Sequence, residues 1–154
     1  MLQVAQANAT SPDLRSFAAT HGLTDSAEGQ RIRFAAADLF RQGRVAEADL
    51  LTHEAMQQYP DSEDVLVIRA LICEVRHDWH GATQALERLL GLQGKHAPAE
   101  SWCHWLRVLR CGGQLQRVFD IAMLALQHHP AHPAIASELA QLEAMGVGAQ
   151  AKAA

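Results

Sequence analysis

The stretch FRQGRVAEADLLTHEAMQQYP, residues 40–60, decides the fold class. Gly43 breaks one run in which apolar residues recur three and four apart, and Val45 opens a second that lasts to about Tyr59, where Pro60 stops it. Spacings of three and four are those of a helix face, so the stretch reads as the end of one helix, a tight turn and a second, antiparallel helix. The first of the pair opens at Asp25, with Glu28 three residues later in the manner of a capping box, and runs to about Gln42.

The same grammar holds on both sides of this hairpin. β-Branched residues nowhere alternate with polar ones for long, so no strand is predicted and the chain reads as all-α. Ser11-Pro12-Asp13 supplies an N-cap and a proline for the first helical position, which predicts a short helix over 12–20 that His21-Gly22 ends. With 154 residues, 49% hydrophobic and 19% charged, the chain can build the core of one domain and is too apolar to remain disordered. A net charge of -4 and a pI of about 6.1 supply no basic field, so neither nucleic acid nor an anionic membrane is expected as a partner. No apolar run approaches the roughly 20 residues that span a bilayer, and MLQVAQANATSPDL lacks the regions of a signal peptide, so a cytoplasmic location is expected. Cys73, Cys103 and Cys111 are odd in number and lack CxxC spacing, which argues against a disulfide framework.

The hairpin recurs. With Gly29 as the first position of a 34-residue period, Gly43 falls at the turn, Ala48 and Ala55 fall on the second helix, and Pro60 follows it. One period on, from Glu63, Leu66, Ala70 and Cys73 fall on a first helix, His77-Asp78-Trp79 at the turn, and Ala82, Leu86 and Leu89 on a second. Counting back from Pro130 starts a third repeat at Ala99, with Trp102 on its first helix, Gly113 at the turn and Ala125 on its second. Pro60 and Pro130 are 70 residues apart, two periods plus two, and the two extra residues are assigned to the turn-rich linker LGLQGKHAPAE, residues 90–100.

These spacings resemble tetratricopeptide repeats (TPRs), in which small residues let the paired helices approach closely, a glycine carries the turn and a proline separates one repeat from the next. The resemblance covers about residues 27–130, and residues 133–145 resemble the helix that caps such arrays. It departs from the pattern at Arg69, in place of an apolar residue, at His77, in place of the turn glycine, and at Gly94, in place of the final proline. What it implies is a right-handed solenoid of about three helix hairpins over 25–145, with repeats at 29–62, 63–98 and 99–132 and a C-terminal capping helix over 133–145. An N-terminal segment, 1–24, with its short helix precedes the solenoid, and a flexible tail, 146–154, follows it.

Chemistry is sparsely supplied. The stretch ALQHHPAHPAI, residues 125–135, sets His128, His129 and His132 around two prolines, but no Asp, Glu or Cys close in sequence completes a metal-ligand set. Pro130 suits the end of one helix and Pro133 the first turn of the next, so the histidines read as solvated turn residues and no metal is expected. No Gly-rich phosphate loop, GxSxG elbow or HExxH helix occurs. Cys103 and His104 are adjacent and point about 100° apart on a helix, which rules out a thiolate pair. Cys73 reads as a small core hydrophobe, and Trp102 and Trp105, three apart on one face, read as core. The expectation is a non-catalytic protein without a cofactor.

The TPR resemblance implies a protein-protein interaction module. In that family the first helix of each repeat lines a concave groove, and the groove positions carry over to Arg33, Ala37 and Phe40, to Val67, Leu71, Glu74 and Val75, and to Cys103, Arg107 and Arg110. Phe40, Val67, Leu71 and Val75 would form an apolar strip suited to the nonpolar face of a peptide or helix, with Arg33 and Arg107 meeting acidic groups of the partner at its rim. The clamp with which family members grip the carboxylate of a chaperone's C-terminal tail is not matched, because Ala37 stands in place of an asparagine, Ile68 occupies another clamp position and Glu100 stands in place of a lysine. The expected function is that of an adaptor or scaffold holding a peptide or helix of a partner protein. The alternative, on architecture, is a bacterial type III secretion chaperone that shields an apolar segment of a client and forms a homodimer in its absence.

Overall fold

Four helices end on the same hydrogen-bonded turn, and three of these turns make the hairpins. The computed structural model describes residues 25–149. Its helices are α1 (Asp25–Arg41), α2 (Val45–Gln58), α3 (Glu63–Val75), α4 (Trp79–Gln93), α5 (Ala99–Cys111), α6 (Leu115–His128) and α7 (Pro133–Ala144), with a single 3-10 turn at Gly94–His96. No strand occurs among the described residues, so the fold is all-α. The expected helix over 12–20 lies outside them, as do residues 150–154.

At the end of α1 the Gly43 N–H donates to the Phe40 carbonyl and the Arg44 N–H to that of Leu39, both at 2.9 Å. The end of α3 repeats this with His77 to Glu74 and Asp78 to Cys73, and the end of α5 with Gly113 to Arg110 and Gln114 to Leu109. This is the Schellman motif, which satisfies the last carbonyls of a helix and demands a left-handed residue. That residue is Gly43 (φ +74°), His77 (φ +59°) or Gly113 (φ +75°), so His77 does occupy a glycine's place. The second helices α2 and α6 also end alike: the Tyr59 and His129 N–H groups donate to the Ala55 and Ala125 carbonyls at 2.8 Å, and a proline follows each.

Helix α4 departs from expectation. Leu90 to Gln93, read as linker, continue the helix because Leu89 and Leu90 are buried, and the extra length is absorbed by the last turn of α4 and the 3-10 turn. The histidine stretch departs too. His128 stacks on the Trp102 ring with centroids 5.4 Å apart, and His129 Nε2 donates to the Ala97 carbonyl at 2.8 Å. His129 is half-buried, while His128 stays exposed on one side of its stack, since the connection after α6 folds onto the segment that starts α5. Among the described residues no group of three His, Cys, Asp or Glu side chains could hold a metal ion.

The chain divides into two compact units at Ile68/Arg69. In the first, α1 packs against α2, and Ala36, Ala48, Thr52 and Ala55 are buried, with Val65 and Leu66 of α3 fully buried as well. In the second, α4 packs on α5, α5 on α6 and α6 on α7. Its core holds Leu86, Leu89, Trp102, Trp105, Val108, Leu109, Val118, Ile135 and Leu142. Both tryptophans are therefore core, and the Arg117 guanidinium covers the Trp105 ring 5.8 Å from its centroid. Cys73 is fully buried, and burial pushes its thiol up to about 11, against the opposing pull of the neighbouring Arg69, itself buried. Helix α7 ends on a fourth Schellman turn, at Gly146, and Gly148 packs against the Phe119 ring, so 146–149 form an ordered turn where a loose tail is expected. No helix among the described residues is long and apolar enough to cross a membrane.

Candidate partner-binding face

In the first unit, Arg33, Ala37 and Phe40 follow one another at helical spacing on one face of α1. Phe40 is 40% exposed, whereas Ala37 and, on α3, Val67 are half-buried. Arg33 bonds to Asp64 Oδ1 of α3 at 3.1 Å. The acidic group expected from a partner is supplied here by the chain itself.

In the second unit Glu74 is the hub. Its carboxylate accepts from Arg107 Nε at 2.8 Å and from a terminal guanidinium nitrogen of the same residue at 3.0 Å, and it meets His104 Nε2 at 3.0 Å. A planar guanidinium and a carboxylate pair in this two-pronged way with both geometric and electrostatic gain. Arg107 holds the Glu74 carboxyl below its ordinary range, and Glu74 in return raises Arg107. His104 goes the other way: burial lowers its ring more than Glu74 raises it, so the neutral Nε2–H form donates to the carboxylate. Arg110, also half-exposed, pairs with Glu138 of α7. Cys103 is pushed up, first by burial and then by the Glu100 and Glu138 carboxylates, so it carries a thiol and not a thiolate. Leu71, one turn before Glu74 on α3, is 37% exposed, and Val75 is 47% exposed.

The structure thus brings Glu74 and Arg107 together, leaves Leu71, Val75 and Phe40 open to solvent, and gives Arg33, Arg107 and Arg110 internal carboxylates. Sequence reasoning missed His104 and Glu138. His104 carried a signal, since it lies three residues before Arg107 and so shares its face of α5. Burial raises the Cys73 and Cys103 thiols, the Glu74 and Glu138 carboxylates pair with Arg107 and Arg110, and a cavity lined by Phe119, Glu143, Val147, Gly148 and Ala149 contains a single ionisable side chain.

Hairpins closed by a repeated turn define an α-helical repeat protein. Its fold is that of TPR domains. The first TPR domain of Spaghetti (RPAP3), bound to the HSP90 peptide SRMEEVD, superposes with a TM-score of 0.62 at 16% identity, covering 85% of this chain and 98% of that one. The second TPR domain of human RPAP3, in complex with the HSP70 peptide SGPTIEEVD, gives a TM-score of 0.59 at 12% identity, covering 73% of this chain and 92% of that one. No family model matches the sequence, and comparison with curated proteins gives no match.

Proposed function

We propose that this chain is a non-catalytic interaction module that holds a peptide or helix of a partner protein against the first helices of its hairpins. The observation that carries the reading is the exposure of Phe40 in the first unit and of Leu71 and Val75 in the second, at the groove positions of the repeat. Large apolar side chains left in water on such a face are suited to anchoring the nonpolar side of a ligand. Two structural neighbours with the same fold hold peptides, which supports the same use here. The comparisons add no support to the secretion-chaperone alternative.

The test is a titration of a partner, recovered by pull-down from the source organism, against Phe40→Ser and Leu71→Ser. Each change should weaken binding, by more than about 2 kcal/mol where the side chain is an anchor, and leave the thermal melt near wild type because the side chain is exposed. Wild-type affinity in folded variants would place the partner elsewhere on the protein.

A further inference from the structure

One row of side chains is open on α1 and closed on the first helices that follow it. Counted from Gly29, Glu63 and Ala99, the third, sixth and tenth positions of α3 are Val65, Ile68 and Ile72, all buried. Those of α5 are Ser101 and Val108, both buried, and His104, half-buried. Earlier helices reach α5: α4 packs on it, and Glu74 of α3 bonds to His104. Helix α1 has no earlier helix among the described residues, and its row, Arg31, Phe34 and Asp38, lies exposed. Arg31 and Asp38 pair with Glu28 and Arg41 of the same helix, which suits them to water. Phe34 is 61% exposed beside an exposed Ala35, and the outer surface of a repeat array needs such apolar groups covered.

The sequence immediately before α1 has the pattern to cover it. Leu14, Phe17 and Ala18 recur three and four apart in the helix predicted over 12–20, which makes one apolar stripe. That segment reaches α1 across four residues, 21–24, and connections of the same four-residue length join α2 to α3, over 59–62, and α6 to α7, over 129–132. A helix this short is marginal in water by itself and gains its stability from packing its apolar face. A second copy of the chain fits the patch less well. Burying one phenylalanine removes about 150–250 Å² from water, against the roughly 1,200–2,000 Å² of a stable interface between proteins. A segment tethered by four residues faces no such requirement, because its effective concentration is on the order of millimolar.

We infer that residues 12–20 dock as a helix on the outer face of α1, with Leu14, Phe17 and Ala18 against Phe34 and Ala35, and close the open end of the first hairpin. Phe34 and Phe40 stand about 120° apart around α1, so this contact leaves the groove side chain free.

Trypsin cleavage after Arg15 in the full chain, followed by mass spectrometry, reads the docking, since a protease cuts the undocked population. Wild type should be cut more slowly than a synthetic peptide of residues 10–24. Phe17→Ser and Phe34→Ser should each speed cleavage at least about tenfold, a shift of about 1.4 kcal/mol. The double variant should be cut no faster than either single one, the mark of a shared contact. Leu50→Ser, on α2 and 59% exposed, should change nothing, and thermal melts confirm that every variant folds. Wild-type cleavage as fast as that of the peptide overturns the inference. Protection that survives Phe34→Ser puts the segment elsewhere and overturns it too. So does a concentration-dependent dimer in light scattering that Phe34→Ser dissolves, which makes a second copy the occupant.

Discussion

His77 is an L-residue in a backbone conformation that costs such residues about 1–2 kcal/mol and glycine almost nothing. Its ring stacks on Trp79, with centroids 5.3 Å apart, which offsets part of that cost. His77→Ala keeps the strained backbone and loses the stack, whereas His77→Gly relieves the backbone, so in thermal melts the glycine variant should exceed the alanine variant by about 1 kcal/mol. Gly81 is constrained by space. A Cβ there would stand 2.3 Å from Asp78 Oδ2 and 2.9 Å from Cys73 Sγ, and Asp78 is the cap whose Oδ1 accepts from the Gly81 N–H at 2.9 Å. Gly81→Ala should therefore cost about 1–3 kcal/mol in urea unfolding, through overpacking and a displaced cap. His104 sets a pH dependence. The unfolded chain takes up a proton near the ordinary value of 6.5, and the folded chain only at lower pH because burial lowers the ring. Below that value the unfolded state binds more protons, so stability falls as pH falls. Glu74, also lowered when folded, loses its contribution only as pH drops below its ordinary 4.5 and does not overlap this window. His104→Gln should flatten the decline in melting temperature between about pH 7 and 5, and an unchanged decline would show that another group carries it.

At the scale of the helix, the close contacts are made by alanines. Ala48 is fully buried and Ala55 is 4% exposed on α2, with Thr52 between them bonding back to the Ala48 carbonyl at 2.9 Å. Ala48→Leu and Ala55→Leu should each overpack the α1–α2 interface and cost about 1–3 kcal/mol, and neutral melts for both would mean that the interface is looser than these burials require. The hairpins were legible because their determinants are local: a residue that can turn left-handed, a small residue at each close approach and a proline after the second helix. The ends of α4 and α6 were legible only in part, because buried Leu90 extends one and the Trp102 stack with His128 packs the other, and neither contact follows from nearby sequence. The binding face divides the same way. Helical phase showed that Leu71, Val75 and Phe40 sit on first-helix faces, but phase does not say whether an arginine reaches toward a ligand or toward the next first helix. Arg33, Arg107 and Arg110 find carboxylates 31, 33 and 28 residues away, and those choices depend on where long side chains point in three dimensions.

Across the molecule, contacts stay short in sequence. The main helix contacts join consecutive helices in each unit, and the Glu74–Arg107 pair between two helices spans 33 residues. Chains dominated by such local contacts fold fast, so tryptophan fluorescence in stopped-flow refolding should show a main phase complete within about milliseconds. A main phase on the scale of seconds would reveal an ordering step that this topology does not require. The local character also explains how a TM-score of 0.62 coexists with 16% identity: few positions per hairpin are constrained, and the rest are free to vary. The turn at Gly146 takes on a different meaning in this light. Helix α7 leaves by the same hydrogen-bond pattern that sends α1, α3 and α5 into their second helices. For protein engineering that makes Gly146 a splice point, where a grafted helix carrying the spacing of α6 would inherit an exit geometry already used three times upstream and lengthen the array without a newly designed junction.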